Sequence, residues 1–151
     1  MISAPLRLAV ADSSVVVKWF REGEPLRPQA LALRTAYLDG SLDLAIPDLL
    51  IYELANVLRY KRELALDDVC RAVRDMYDMD VAIVTVTADL ATEAIHLARQ
   101  FDVTVYDAAF LACAQQIGAT LVTADDAFYR KMNGHPSVVH LSSMNPFAAQ
   151  P

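Results

Sequence analysis

The chain has 151 residues, of which 55% are hydrophobic and 21% are charged, and its formal net charge is -6 at pH 7. A chain of this length and composition is expected to form one domain with a substantial apolar core, with no room for a second. No apolar run approaches the roughly 20 residues of a membrane span, and a signal-peptide pattern is lacking, so we expect a cytoplasmic protein. The acidity argues against general coating of nucleic acid, because such binding relies on Lys and Arg.

Short apolar runs alternate with helical patterns along the chain. Strands are predicted over 6–11, 44–46, 81–86, 120–123 and 138–139, and helices over 15–20, 29–38, 49–60, 67–77, 88–101, 108–117 and 126–132. This alternation predicts an α/β fold, a three-layer α/β/α sandwich around a mainly parallel sheet of four or five strands. We expect residues 1–144 to form this single domain and residues 145–151 to be a mobile tail.

The helix over 108–117 is apolar almost all round, with only Gln115 and Gln116 polar, which is typical of a helix in the middle of a domain. The strand over 120–123 is rich in β-branched residues and is expected to be covered on both faces, as in a parallel sheet. Asp107 opens the helix and Asp125 closes the strand. Both carboxylates therefore approach the edge where parallel sheets bind their ligands.

Four acids interrupt otherwise apolar patterns. A carboxylate is rarely buried without a partner, and no Lys or Arg stands at a matching buried position for each of them. A divalent cation such as Mg²⁺, or alternatively Mn²⁺, binds oxygen ligands of this kind together with substrate phosphates. The pattern therefore indicates a metal site for chemistry on phosphate esters. Its predicted ligands are Asp12 at a strand end, Glu53 on the apolar face of a helix, Asp107 and Asp125.

Each of these acids, taken alone, also has an ordinary structural explanation. Asp12 and Asp125 can cap the helices that follow them, and Asp107 can be a first-turn acid that the helix dipole favours. Glu53 is the hardest to explain in this way. The metal site is thus predicted from the four acids together and not from any single one.

Three polar residues near the acids are candidates for supporting roles: Ser14, Asn56 and Thr123. They can orient carboxylates or waters, or they can be packing and capping groups, and Ser13 and Ser14 are expected to supply capping hydroxyls for the first helix. Several basic residues are candidate contacts for a phosphate backbone, although a solvated surface position is the commoner role for each: Lys18, Arg21, Arg59, Lys61, Arg62, Arg130 and Lys131.

Other classes of site lack the residues that they need. Cys70 and Cys113 are too few for a thiolate metal site and are expected to be buried as small hydrophobic residues. The glycines are isolated, so the glycine-rich turns of P-loop and dinucleotide sites are missing, and the histidines lack a nucleophile-elbow context. A phosphatase of the haloacid dehalogenase type needs a second Asp two positions after the first, where this chain has Ser14.

Four segments of the chain resemble the acidic motifs of the PIN-domain ribonucleases, especially the VapC-type toxins of toxin–antitoxin pairs. The segments are Asp12-Ser13-Ser14 followed by VVVKWF, the run YELAN from Tyr52 to Asn56, VYDAAFLA from Val105, and LVTAD from Leu121 to Asp125. One such motif is weak evidence, whereas four in order, each in a matching helix or strand, are strong. The resemblance spans Leu8 to about Leu141.

The resemblance implies a PIN-like fold with four catalytic, metal-binding acids, Asp12, Glu53, Asp107 and Asp125, supported by Ser14, Asn56 and Thr123. It also implies an endoribonuclease in which metal-activated water hydrolyses RNA, a homodimer, and a cognate antitoxin protein. The early helices around Trp19-Phe20 and Leu31-Leu33 are a candidate docking surface for that partner, although they can equally pack on the sheet. Two alternatives stay open: a non-catalytic PIN-like binding module and a metal-dependent phosphatase.

Overall fold

The computed structural model describes residues 5–144, so the predicted tail over 145–151 lies outside the described residues. Its sheet contains five strands: β1 (Leu8–Ala11), β2 (Asp43–Pro47), β3 (Ala82–Val84), β4 (Thr120–Thr123) and β5 (Val138–His140). The strand order is β3-β2-β1-β4-β5, and every neighbouring pair is parallel. The predicted α/β fold with a parallel sheet is confirmed.

Seven helices connect the strands: α1 (Ser13–Val16), which continues as a 3₁₀ turn over Val17–Trp19, α2 (Arg27–Leu38), α3 (Leu49–Arg59), α4 (Leu66–Asp78), α5 (Ala88–Phe101), α6 (Val105–Ile117) and α7 (Asp126–Lys131). A further 3₁₀ turn covers Leu141–Ser143. Helix α2 begins before the predicted start, because Pro28 is tolerated in a first helical turn, where its missing N–H has no partner to lose. Across the described part of the chain, every helix is too short or too polar to cross a membrane.

Helix α6 begins at Val105, three residues before the predicted start at Ala108. The cause is the side chain of Thr104, whose Oγ1 accepts a hydrogen bond of 3.1 Å from the backbone N–H of Asp107. A hydroxyl in this position satisfies one of the free N–H groups of the first turn. Asp107 is therefore held inside the first turn of α6 and does not stand before it.

The centre of the sheet is the pair β1 and β4. Ala11 lies opposite Val122, and the backbone N–H of Asp12 donates to the carbonyl of Val122 at 3.3 Å. Strands in a parallel sheet end at the same edge, so the residues that follow β1 and β4 are brought together there. The register thus positions Asp12 beside the segment that leads to Asp125.

Helix α6 contacts β1, β2 and β4. Its residues from Phe110 to Ala114 are buried, in agreement with its almost uniformly apolar sequence. Burial also raises the pKa of the Cys113 thiol to about 11, so this cysteine behaves as a small hydrophobic side chain. Cys70 was predicted to be buried as well, which is wrong: it lies exposed on α4, whose inward positions are occupied by Val69, Ala72 and Met76.

Residues of the early helices are buried in the core and do not form an exposed docking surface. Trp19 is 3% exposed, and its Nε1 donates a hydrogen bond of 2.8 Å to the carbonyl of Ala30, while Leu33 is fully buried. An indole that is both buried and hydrogen-bonded is satisfied inside the fold. Trp19 and Leu33 are therefore core residues, and the expectation that they offer an exposed apolar surface is wrong. Phe20 stays partly exposed.

Candidate active site

The carboxylate of Asp12 lies almost buried at the carboxyl end of β1, with 9% of the residue exposed. The hydroxyl of Ser14 donates to its Oδ1, and the hydroxyl of Thr123 also hydrogen-bonds to it. Burial raises the pKa of Asp12 to about 6, against the opposing effect of the hydrogen bonds from Ser14 and Thr123. This carboxyl group therefore changes its charge close to neutral pH, far above the usual range of an aspartate.

Ser14 joins the two central strands of the sheet. While its hydroxyl donates to Asp12, its Oγ accepts a hydrogen bond of 2.8 Å from the backbone N–H of Ala124, which follows β4. The expected capping role of Ser13 and Ser14 is not what is found, because Asp12 is the N-cap of α1 and no side chain caps that helix. The hydroxyl of Ser14 instead fastens the β1–α1 turn to the β4–α7 turn.

Glu53 is held by a residue whose role in the site was not predicted. Ser13 Oγ donates a hydrogen bond of 3.1 Å to Glu53 Oε1, which links the start of α1 to α3. The pKa of Glu53 is raised, mainly by burial and further by the nearby charge of Asp107, while the bond from Ser13 opposes both. The only sequence feature that pointed to Ser13 was its place next to Asp12, since the two contacting residues are 40 positions apart.

Asp107 and Asp125 approach the site from α6 and α7. Burial is the main cause of the raised pKa of Asp107, which the charge of Asp125 raises further and the bond to Thr104 opposes. Asp125 caps α7, because its Oδ1 accepts a hydrogen bond of 2.9 Å from the backbone N–H of Phe128. Its own N–H donates to Thr123 Oγ1 at 3.1 Å. The capping explanation considered for Asp125 thus applies to one of its oxygens.

The four acids form a chain of electrostatic neighbours at this edge of the sheet. The charge of Asp125 acts on both Asp12 and Asp107, and the charge of Asp107 acts on Glu53. Between residues 5 and 144, none of the four acids forms an ion pair with Lys, Arg or His. In that same part of the chain, no group of three or more His, Cys, Asp or Glu side chains stands at the spacing that would hold a metal ion.

Asn56 is the predicted supporting residue that is least connected to the site. It is exposed on α3, and its side chain forms no hydrogen bond with another residue of the described range. Ser14 and Thr123, by contrast, both contact Asp12. The structure therefore brings two of the three supporting candidates to the acids.

An open cleft of about 410 Å³ lies beside two of the acids, between the start of α6 and helix α7. It is lined by Asp102, Val103, Thr104, Asp107, Asp125, Ala127, Phe128 and Lys131. Lys131 is the one basic residue among these lining groups. Two other candidate phosphate contacts are engaged elsewhere, since Lys18 pairs with Glu24 at 3.6 Å and Arg21 pairs with both Glu24 and Glu63.

The raised pKa of Asp12 predicts how stability depends on pH in metal-free buffer. The folded protein keeps the Asp12 proton up to about pH 6, whereas the unfolded chain loses it near 3.8. The folded state thus binds more protons in this window, and the contribution of Asp12 to the unfolding free energy falls as pH rises through it. We expect Asp12→Asn to raise the unfolding free energy at pH 8 by about 3 kcal/mol.

Urea denaturation in EDTA, between pH 4 and pH 8, measures this difference. The low end of the range is an internal control, because the carboxyl group of Asp12 is then largely protonated in the folded protein and the two proteins should be nearly equally stable. If Asp12→Asn raised the unfolding free energy by the same amount at pH 4 and at pH 8, the predicted titration of Asp12 would be contradicted.

Solved structures share this fold, and two of them serve as examples. A toxin–antitoxin complex from Klebsiella pneumoniae contains a chain that is 20% identical, with 92% of this chain and 98% of that chain covered and a TM-score of 0.62. VapC20 from Mycobacterium tuberculosis, a toxin that cleaves the sarcin–ricin loop, is 17% identical, with 81% of this chain and 93% of that chain covered and a TM-score of 0.65. At these identities the likeness establishes the fold alone.

The family is established by the sequence comparisons. The PIN domain model matches residues 9–133, a span that contains all four predicted acids. Ribonuclease VapC3 from Pyrobaculum aerophilum is 37% identical over 120 residues, which cover 77% of this chain and 88% of the relative. The chain therefore belongs to the PIN-domain family and, within it, to the VapC-type ribonucleases.

Proposed function

We propose that this protein is a Mg²⁺-dependent endoribonuclease and the toxin of a toxin–antitoxin pair. The observation that supports this most directly is the group of mutually coupled acids at the carboxyl edge of the sheet. Asp12, Glu53 and Asp107 all have raised pKa values, of which burial is the main cause, and no cationic side chain between residues 5 and 144 offsets them. Acids in this condition favour a divalent cation from solution.

The donor set suits Mg²⁺, with Mn²⁺ as an alternative. Mg²⁺ takes oxygen ligands, keeps several waters, and is commonly held by one or two carboxylates together with substrate phosphates. Because waters and substrate phosphates complete its coordination, such a cation needs no closed cage of protein ligands. We infer that Asp12, Glu53, Asp107 and Asp125 hold the cation, with Asp125 contributing the oxygen that does not cap α7.

Hydrolysis of an RNA phosphodiester bond at this site would use the cation and the residues that hold its ligands. The cation, when bound, supplies positive charge that lowers the pKa of a water and offsets charge on the phosphate. Ser14 and Thr123 fix the carboxylate of Asp12, and Ser13 fixes that of Glu53, so that these oxygens need little reorganisation during the reaction. Water attack leaves a 5′-phosphate and a 3′-hydroxyl. A 2′,3′-cyclic phosphate would instead indicate attack by the 2′-hydroxyl of the RNA.

Cleavage of single-stranded RNA with and without Mg²⁺ tests the enzyme assignment. Asp107→Asn should abolish cleavage while the metal-free fold stays at least as stable, because the variant removes one of several neighbouring like charges. Asp89→Asn is the matched control, since Asp89 is a first-turn acid of α5 as Asp107 is of α6, and it should keep full activity.

Mg²⁺ should also raise the melting temperature of the parent protein, by the equivalent of about 2.7 kcal/mol at 100 times its dissociation constant. A non-catalytic binding module would cleave no RNA under any of these conditions. A phosphatase would release phosphate from a monoester and leave the RNA chain intact. Either result would exclude the proposed activity.

We also infer that the protein forms a homodimer through an apolar face next to the acids. Tyr52 is 80% exposed, Tyr106 63%, Val86 57% and Val105 44%. They line a groove of about 390 Å³ with little polar surface, and side chains this large and apolar are seldom exposed together unless they meet a partner. Tyr52 precedes Glu53 and Tyr106 precedes Asp107, so this face lies next to the helices that carry two of the acids in each copy of a symmetric dimer.

The dimer is tested by replacing one tyrosine of the groove. Tyr52→Arg should shift the protein from twice the chain mass to the chain mass in light scattering, because it introduces an unpaired charge into an apolar interface. Tyr77→Arg is the control. Tyr77 is exposed too, at 56%, but it lies on α4 and does not line the groove. A parent protein that is monomeric at high concentration would remove this proposal.

The antitoxin is expected to offer a basic, amphipathic segment. The net charge of -6 attracts such a segment, and an Arg side chain at the acids can take the place of the cation. Phe20 lines two shallow clefts, one shared with Asp68, Asp75 and Arg71 and the other with Asp75, Asp78 and Arg34. An apolar side chain rimmed by charges of both signs suits an amphipathic segment that folds on binding.

Co-expression with the product of the adjacent gene tests the toxin assignment. The neighbour should co-purify with this protein and suppress its cleavage of RNA, and excess Mg²⁺ should weaken that suppression because cation and partner compete for the same acids. A neighbour that neither binds nor suppresses cleavage would remove the toxin assignment and leave the nuclease assignment standing.

A further inference from the structure

The cleft beside the acids is lined by side chains of both charges. Asp102, Asp107 and Asp125 contribute carboxylates and Lys131 an ammonium group, while Val103, Ala127 and Phe128 contribute apolar wall. A site for the cation alone would need only the acids. The additional wall and the ammonium group correspond to a molecule that extends away from the acids and carries a second negative charge.

The carboxylate of Asp102 holds Lys131 weakly. Its Nζ donates to the carbonyl of Asp102 at 2.5 Å and approaches Asp102 Oδ2 at 3.4 Å. The side chain of Asp102 is fully exposed and that of Lys131 is 48% exposed, so the pair is screened by solvent. The ammonium group can therefore exchange the Asp102 carboxylate for another anion at little cost.

The length of α7 sets where that anion lies. Asp125 is the N-cap of α7 and Lys131 its last residue, which separates their backbones by about 9 Å along the helix axis. This spacing suits a strand whose cleaved phosphate lies at the acids and whose next phosphate lies at Lys131.

We propose that this cleft binds the nucleotide adjacent to the cleaved bond, with Lys131 as the contact for its phosphate and Val103, Ala127 and Phe128 as the wall against its sugar and base. The inference rests on the proposed RNA substrate and specifies where one further nucleotide binds. Because Lys131 recognises a phosphate and not a base, it contributes affinity without preference for sequence.

Asp102 then acts as a competitor for Lys131. It ends α5 in the left-handed conformation, with a φ of 54°, and this backbone directs its carbonyl to the ammonium group. Its carboxylate both occupies Lys131 and repels an incoming phosphate. Asn tolerates the left-handed conformation as well as Asp does, so Asp102→Asn removes the charge and keeps the backbone.

Fluorescence anisotropy with a short labelled single-stranded RNA tests the subsite. All variants are made in the Asp107→Asn background, so that the RNA stays intact, and are titrated with KCl at constant Mg²⁺. Lys131→Gln should weaken binding about fivefold at 0.1 M salt and lower the slope of log Kd against log salt by about 0.7, the value for one single-strand phosphate. Lys131→Arg should keep both quantities close to the background.

Arg99→Gln is the matched control, because Arg99 lies in the last turn of α5 as Lys131 lies in the last turn of α7, and it does not line the cleft. It should leave the affinity and the slope unchanged. Asp102→Asn should strengthen binding, and this gain should vanish when Lys131→Gln is also present. Melting temperatures of all variants separate loss of a contact from loss of the fold.

The subsite is overturned if Lys131→Gln behaves like Arg99→Gln, or if Asp102→Asn strengthens binding equally with and without Lys131. It is also overturned if Lys131→Gln weakens binding of the antitoxin and not of RNA, which would assign the cleft to a protein partner. RNA cleavage by the parent protein distinguishes a failure of the subsite from a failure of the proposed ribonuclease function. RNA cleavage by the parent with no effect of Lys131 removes the subsite alone, whereas a parent that cleaves no RNA removes the proposed function and the subsite with it.

Discussion

The buried carboxylate of Asp12 is the constraint on which the rest of the site depends. It ends the central strand, has almost no contact with solvent, and has no cationic partner within residues 5–144. The hydroxyls of Ser14 and Thr123 satisfy its oxygens but supply no positive charge. A protein selected only for stability would replace such a group with an apolar or amide side chain, because an uncompensated buried charge destabilises the folded state.

The neighbouring acids add to the destabilising effect of the buried Asp12 carboxylate, because they bring further negative charge. Glu53 and Asp107 are half-buried, and both are raised in pKa by burial and by the charge of the next acid in the chain. The folded protein therefore stores an unfavourable electrostatic arrangement, which the proposed cation would relieve. Lower stability of this kind is a common compromise at sites whose function requires strain.

The parts of the site that followed from the sequence are those governed by local rules. Acids at the ends of β1 and β4 come together because parallel strands end at one edge, and α6 is central because it is apolar almost all round. Contacts between elements that are distant in the sequence could not be predicted from these local rules. The hydrogen bonds of Ser13 with Glu53 and of Ser14 with Ala124 depend on how α1 packs against α3 and β4. The periodicity of the sequence does not encode this packing. The exposure of Cys70 on α4 depends likewise on tertiary packing.

The central position of β1 affects how the protein is made. One neighbour of β1 is β2, which follows it closely in the chain, but the other is β4, and Ser14 and Ala124 are 110 positions apart. Parallel pairing over such a separation is slow, and during translation it must wait for nearly the whole chain to emerge. Until then the nascent chain carries Asp12 without the hydroxyl of Thr123 and without Asp125 beside it. The site therefore stays incomplete until synthesis of the chain is almost finished.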